Sequence, residues 1–210
     1  MFKNLFGKEP SDAEIEAAET AFSEAKQAAL ERTLGPMDDT VLHALIPFEL
    51  GGFLDLYTFS KCIPGTVIAT QELIACDPKR RTKKGKFGHY ELVACLPPGK
   101  SRDDPGSLDL INPLLNVVAR YAFHAKLNAG ETAEVPTSED GPMQPIMFGA
   151  FEGNGTPFEV MGERFGLLLV MPLHASELAF ARSTGTPALI EKLKDAAAWP
   201  YADLSRPAVV

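Results

Sequence analysis

Apolar residues recur at two different spacings along this chain. Between Ser11 and Leu34 they return every three or four positions. Ile15, Ala18, Phe22, Ala25 and Ala29 share one face, which predicts a helix. Ser11 and Glu14 fit a capping box at its start, and Gly35-Pro36 stops it. Alternation then takes over. Phe53 to Phe59 reads as a strand with Phe53, Tyr57 and Phe59 on one side and Leu54 and Leu56 on the other. Gly65 to Ala75 is a second strand, rich in β-branched residues, and His89 to Leu96 a third, with Tyr90, Leu92, Ala94 and Leu96 on a single face. Pro97-Pro98-Gly99 ends it, and Lys100 to Gly106 reads as a polar loop.

Asn112 is placed to cap a helix from Pro113 to about Asn128, with Leu114, Val117, Val118, Tyr121 and Ala122 inward and Gly130 closing it. Glu131 to Pro145 reads as an acidic surface excursion, Ile146 to Phe151 as a short strand and Glu152 to Gly162 as a loop. Phe165 to Leu173 is nearly all apolar, as a central strand covered on both faces would be. Two helices close the chain, Ala175 to Ser183 and one capped by Thr186 that runs to about Ala198. Strands in runs, followed by helices, predict an α+β fold with a mixed β-sheet packed with helices. The expected division is an N-terminal helical extension at 1–37, a domain at 38–198 and a tail at 199–210.

Composition excludes some classes. With 45% apolar and 23% charged residues the chain is globular rather than disordered. No apolar run approaches the roughly 18 residues of a membrane span, and Met1 to Pro10 lacks the apolar stretch of a signal peptide. The expectation is a cytoplasmic protein with no membrane partner. A net charge of -8 argues against a general nucleic-acid binder, and Cys62, Cys76 and Cys95 make no disulfide framework.

Motifs for chemistry fail on inspection. Gly99-Lys100-Ser101 resembles the end of a phosphate loop, but Ala94 stands where its first glycine belongs. Gly153-Asn154-Gly155 opens like a dinucleotide fingerprint, but Phe158 replaces the third glycine. His43, His89, His124 and His174 lack metal-ligand spacing, and His174 with Glu177 reads as a helix cap. No cofactor and no metal are expected.

Charge is distributed unevenly. Lys79, Arg80, Arg81, Lys83, Lys84 and Lys86 crowd the stretch from Asp77 to Lys86, which carries +5 and leaves -13 for the rest. The stretch is either a solvated hairpin loop or an anchor for an acidic protein partner. No aromatic residue interleaves the basic ones, so nucleic acid is not the expected partner. Two other classes stay open. An enzyme would need Tyr57, Cys62, Glu72, His89 and Glu91 to converge from the early strands. A self-associating structural domain would use the apolar face of the first helix.

Particular segments resemble a known family. Phe87-Gly88-His89-Tyr90-Glu91-Leu92-Val93, the helical segment Leu114 to Phe123 with Ala119-Arg120-Tyr121, and Phe165 to Leu173 resemble the suppressor-of-fused (SUFU) domain. Ser176-Glu177-Leu178 and then Gly185 to Leu193 are similar to that family's closing helix pair. The resemblance covers roughly residues 40 to 195. It implies a non-enzymatic α+β protein-interaction domain. The animal member adds a transcription-factor peptide as a β-strand and has a second domain that a chain of this length lacks. Bacterial members are often single domains, and some look like immunity proteins of toxin systems. In the animal protein an aspartate in the loop after the second of these strands contributes to the peptide site. By this resemblance Asp77 is its counterpart, and Thr66 falls where the family places an aromatic residue. The expected partner site is therefore Thr66, Asp77, Lys79, Arg80, Arg81, Lys83 and Lys84.

Overall fold

The computed structural model describes residues 11–39, 41–46, 48–100, 107–137 and 141–210. A seven-stranded sheet forms its centre. It is built from β1 (Val41–Leu42), β2 (Leu56–Phe59), β3 (Thr66–Ala69), β4 (Tyr90–Leu96), β5 (Thr132–Pro136), β6 (Met143–Ala150) and, after a small β7–β8 hairpin (Glu159–Val160, Glu163–Arg164), β9 (Gly166–Pro172). The order across the sheet is β1-β2-β3-β4-β9-β6-β5. The β4–β9 pair is parallel and the other pairs antiparallel, so the sheet is mixed and the fold α+β as expected.

The central strands alternate between two cores. Val93, Cys95, Leu167, Leu169 and Met171 face α1 (Asp12–Leu34), α3 (Ala175–Thr184) and α4 (Thr186–Asp195). Leu92, Ala94, Leu96, Leu168 and Val170 face α2 (Ser107–Ala122). Helices on both faces explain why β9 reads as continuously apolar.

Several boundaries differ from the sequence expectations, each for a local reason. The buried stripe of α1 is Phe22, Lys26, Ala29, Leu30, Thr33 and Leu34, while Ile15 is exposed, because only the second half of the helix lies on the sheet. The second strand stops at Ala69 because the following backbone turns to give its N–H groups to a carboxylate described below. Leu54 leaves the ladder of β2 because its N–H goes to Asn116 of α2 at 2.8 Å. α2 contains Pro113 rather than starting there, its amphipathic packing outweighing the one lost backbone bond. It ends at Ala122, whose carbonyl accepts from Lys83 N at 2.8 Å. The expected excursion from Glu131 contains β5, paired along its length with β6. The expected Glu152–Gly162 loop contains β7 and the turn of the β7–β8 hairpin, made by Met161 and Gly162, both at positive φ. Thr186 does not cap α4. Its hydroxyl donates to Gly130 O at 2.7 Å, and Gly185 holds the cap position. Residues 101–106 of the expected Lys100–Gly106 loop, and Met1 to Pro10, lie outside the described residues.

Two carboxylates organise the helical face. Glu91 of β4 is fully buried and accepts Thr70 Oγ1 at 2.7 Å, Leu73 N at 3.2 Å, Ile74 N at 3.0 Å and Lys26 Nζ at 3.5 Å. Lys26 also donates to the carbonyls of Gln71 and, at 2.8 Å, Ile74. Glu177 of α3 takes the Arg206 guanidinium in two bonds of 2.5 and 2.8 Å and Val209 N at 3.1 Å, which fastens the C-terminal tail.

Lys26→Met leaves Glu91 buried without its counter-charge and is expected to cost about 3–5 kcal/mol in urea unfolding. Adding Glu91→Gln removes the stranded charge and restores part of that loss. A double variant no more stable than Lys26→Met rejects the ion-pair account.

Candidate functional site

The charged loop after β3 divides into two parts. Asp77 caps a single 3-10 turn, Pro78–Arg80, by accepting Lys79 N at 2.9 Å. Arg81 does not belong to a basic surface. It is buried, donates to Ala75 O at 2.7 Å and Glu163 Oε2 at 2.8 Å, and lies over the rings of Phe22 and Phe165 at 5.6 and 5.1 Å. Both distances are within the range of cation–π attraction. Arg80 is exposed and pairs with Glu19 of α1 at 3.1 Å. Lys79, Lys83, Lys84 and Lys86 are exposed. Thr66 is half-buried at the start of β3, an interior strand between β2 and β4.

The residues of the enzyme alternative come together only in part. Glu72 Oε2 accepts Asp55 N at 2.9 Å. Tyr57, on the same side, has its phenol pushed upward by burial and then by Asp55, Glu72 and Glu91. Glu91 accepts four donors, which fills the capacity of a carboxylate and leaves nothing to take a substrate proton. His89 is turned to Thr82 O at 2.6 Å, and Cys62 lies against Thr33 and Asn154. Burial raises the Cys62 thiol above its ordinary value. The cluster therefore holds the fold together and does not pair a nucleophile with a base. Among the described residues no group of three His, Cys, Asp or Glu could hold a metal ion, and no helix is long and apolar enough to cross a membrane.

The sheet has two margins, and they are finished differently. β5 carries Pro136, which has no N–H, and Glu134, paired with Arg182 at 2.7 Å. Both features blunt an edge. β1 has neither. Beyond it the segment up to Phe53 exposes Leu45 at 103%, Ile46 at 57%, Leu50 at 77% and Phe53 at 60%. A Cβ on Gly52 would fall 1.7 Å from Ile46 O, so only glycine lets the backbone of Ile46 fold back on residue 52. Arg120, in the last turn of α2, donates to Gly51 O at 3.1 Å and Gly52 O at 2.8 Å and lies 5.1 Å over the Phe48 ring. Asp55 fixes the end of β1 by accepting Ala44 N at 2.8 Å, with the His43 ring at 2.9 Å. The sequence reading missed this patch because the residues from Val41 to Gly52 follow neither a helical nor a strand period. The absence of period in so apolar a stretch was the available signal.

With this geometry in view, the comparisons are consistent with one another. A family model for the suppressor of fused protein matches residues 68–207. The chain belongs to the suppressor of fused family. The SUFU match takes in Glu72, Asp77, the basic loop and Glu91, and begins after Thr66 and the apolar patch. A chain from the Sufu–Fu complex superposes with a TM-score of 0.59 at 14% identity, over 91% of this chain and 92% of that one. A SUFU homologue from Neisseria gonorrhoeae gives 0.58 at 14% identity, over 91% and 98%. Drosophila Suppressor of Fused gives 0.54 at 16% identity, over 83% of this chain and 46% of its own. No curated protein matches the sequence.

Burial, with Asp55 and Glu91 adding repulsion, lifts the Glu72 carboxyl from an ordinary 4.5 to about 7. Folded protein thus keeps a proton that the unfolded chain releases, so this group's contribution to stability is full below about pH 4.5 and lost as pH rises through about 7. Glu72→Gln keeps an acceptor for Asp55 N and removes the titration. In urea melts at about pH 5 and about pH 8, the native protein should lose stability to its variant at the higher pH. Parallel curves for the two proteins reject the assignment.

Proposed function

We propose that this chain is a non-enzymatic protein-binding domain that takes an extended segment of a partner protein at its β1 margin. The observation that carries this is four exposed apolar side chains, Leu45, Ile46, Leu50 and Phe53, in the segment that follows a sheet edge with no further strand among the described residues. Large exposed apolar clusters mark interaction sites. An open edge offers N–H and C=O groups to a strand, and side-chain pockets beside it select the sequence. Membership of the SUFU family supports a binding role, as does a Glu91 carboxylate already fully engaged in the fold. The exposed lysines of the loop after β3 steer the encounter; Asp77 lies within that loop, and Thr66 at the opposite end of β3. A toxin neutralised by this domain, as in an immunity protein, is one partner that fits this reading.

The test begins with the full chain as bait in the cell of origin, followed by calorimetry on the purified partner. Phe53→Asp and Leu45→Asp alter solvent-exposed positions, so stability should move by no more than about 0.5 kcal/mol. Kd should weaken at least about tenfold. Backbone N-methylation of the partner segment should weaken binding at the one position that pairs with the two-residue β1 edge and not at its neighbours. Binding that is indifferent to both changes excludes the margin. For a toxin partner, co-expression should restore growth with the native chain and fail with Phe53→Asp.

A further inference from the structure

We infer that the partner segment carries a block of acidic residues a few positions from its apolar ones, a proposal that rests on the β1 margin being the binding site. The last turn of α2 joins two surfaces. Arg120 and Phe123 hold the apolar patch, the latter through the Phe48 ring at 6.2 Å. The carbonyl of Ala122 holds Lys83 N at 2.8 Å, and Asn128, just beyond, accepts Lys86 N at 2.8 Å. Gly85 lies so close that a Cβ there would sit 2.4 Å from Leu127 O. The loop that carries Lys83, Lys84 and Lys86 is thereby pressed against residues 122–128, a stretch that adds a fourth exposed lysine, Lys126.

Among the described residues none of these four lysines forms an ion pair. Two carboxylates lie nearby: Glu131, which accepts Asn128 Nδ2 at 2.8 Å, and Glu163, which is paired with Arg81 at 2.8 Å. The rest of the chain is strongly acidic, so this corner is a local positive field on a negative molecule. The end of one helix, about 10 Å across, separates it from the apolar patch. An extended segment crosses that distance in about three residues. A partner strand anchored on Phe53 and Leu50 therefore brings its next residues over the lysines, and carboxylates are the groups that complement them. Phe87 is exposed beside Lys86, and Tyr121 is exposed in the last turn of α2, but two rings on separate elements are not the stacking series that a nucleic-acid strand uses.

The test is an array of synthetic peptides of about twelve residues. Each joins an alternating leucine–threonine block through a short serine spacer to a tail of glutamates, serines or lysines. The probes are the full chain, its Lys83→Glu/Lys84→Glu/Lys86→Glu variant and Phe53→Asp. Glutamate tails should bind the native chain about tenfold better than serine tails at low salt, with the gap closing at high salt. The triple variant should prefer lysine tails. Equal binding of glutamate and serine tails, still lost in Phe53→Asp, overturns the acidic partner and leaves the margin standing. Binding that does not respond to Phe53→Asp removes the margin itself and the inference with it. Tighter capture of a single-stranded oligonucleotide than of the glutamate peptide, abolished in the triple variant, overturns it in favour of nucleic acid.

Discussion

The contact between Lys26 and Glu91 decides how this chain is put together. A buried ion pair costs desolvation that an apolar pair would not, and its value lies in what it specifies. Here it specifies register. One helical turn before Lys26 stands Phe22, and one turn after it Leu30. A slip of α1 by a turn would set an apolar side chain over a buried carboxylate. Glu91 also holds Thr70, Leu73 and Ile74, so the same group that positions the helix shapes the backbone leaving β3. That backbone leads into the basic loop, whose starting direction is therefore set from inside the protein.

The loop then spends its two kinds of cation differently. Arg81 turns inward and lies over the rings of Phe22 and Phe165, tying α1 to the segment after the β7–β8 hairpin. Arg80 ties the loop to α1 through Glu19. The lysines stay solvated, as compact, strongly hydrated ammonium groups do. A stretch that looks uniformly basic in sequence is thus part clamp and part surface, and the clamp is what keeps the surface part in one place against the end of α2.

Much of the fold was legible from periodicity. The capping box at Ser11, the single face of Tyr90, Leu92, Ala94 and Leu96, and the doubly covered Phe165–Leu173 strand are all local patterns, and each has its expected structural partner. What escaped depended on contacts distant in sequence. Lys26 reads as a solvated residue until it is noticed on the same stripe as Phe22 and Leu30. Arg81 reads as one of six cations because nothing local announces the two rings that meet it. β5 is a poor strand by composition and exists because β6 is there to pair with it. The patch from Leu45 to Phe53 has no period, since its one regular element is a single 3-10 turn, Phe48–Leu50, and its backbone is pinned by Arg120. Sequence therefore showed the framework and the charge of the loop, while the apolar half of the candidate site became visible only in three dimensions.

The contrast between the two sheet margins bears on what kind of binding this surface supports. β5 is long enough to template another chain, and it is blunted by Pro136 and by the charged pair of Glu134 and Arg182. β1 is protected by shortness alone, with two residues in the ladder. Two residues cannot supply much main-chain affinity, so an edge of this length resists indiscriminate pairing between copies. Specific capture then has to draw on the side chains beside it, Leu45, Ile46, Leu50 and Phe53. The backbone that carries them is anchored to α2 through Gly51 and Gly52, so in the proposed capture the backbone has little freedom left to lose, and preorganisation of this kind raises affinity without added contact area. A short edge flanked by a fixed apolar patch thus favours a partner chosen by its sequence over one chosen merely by being extended.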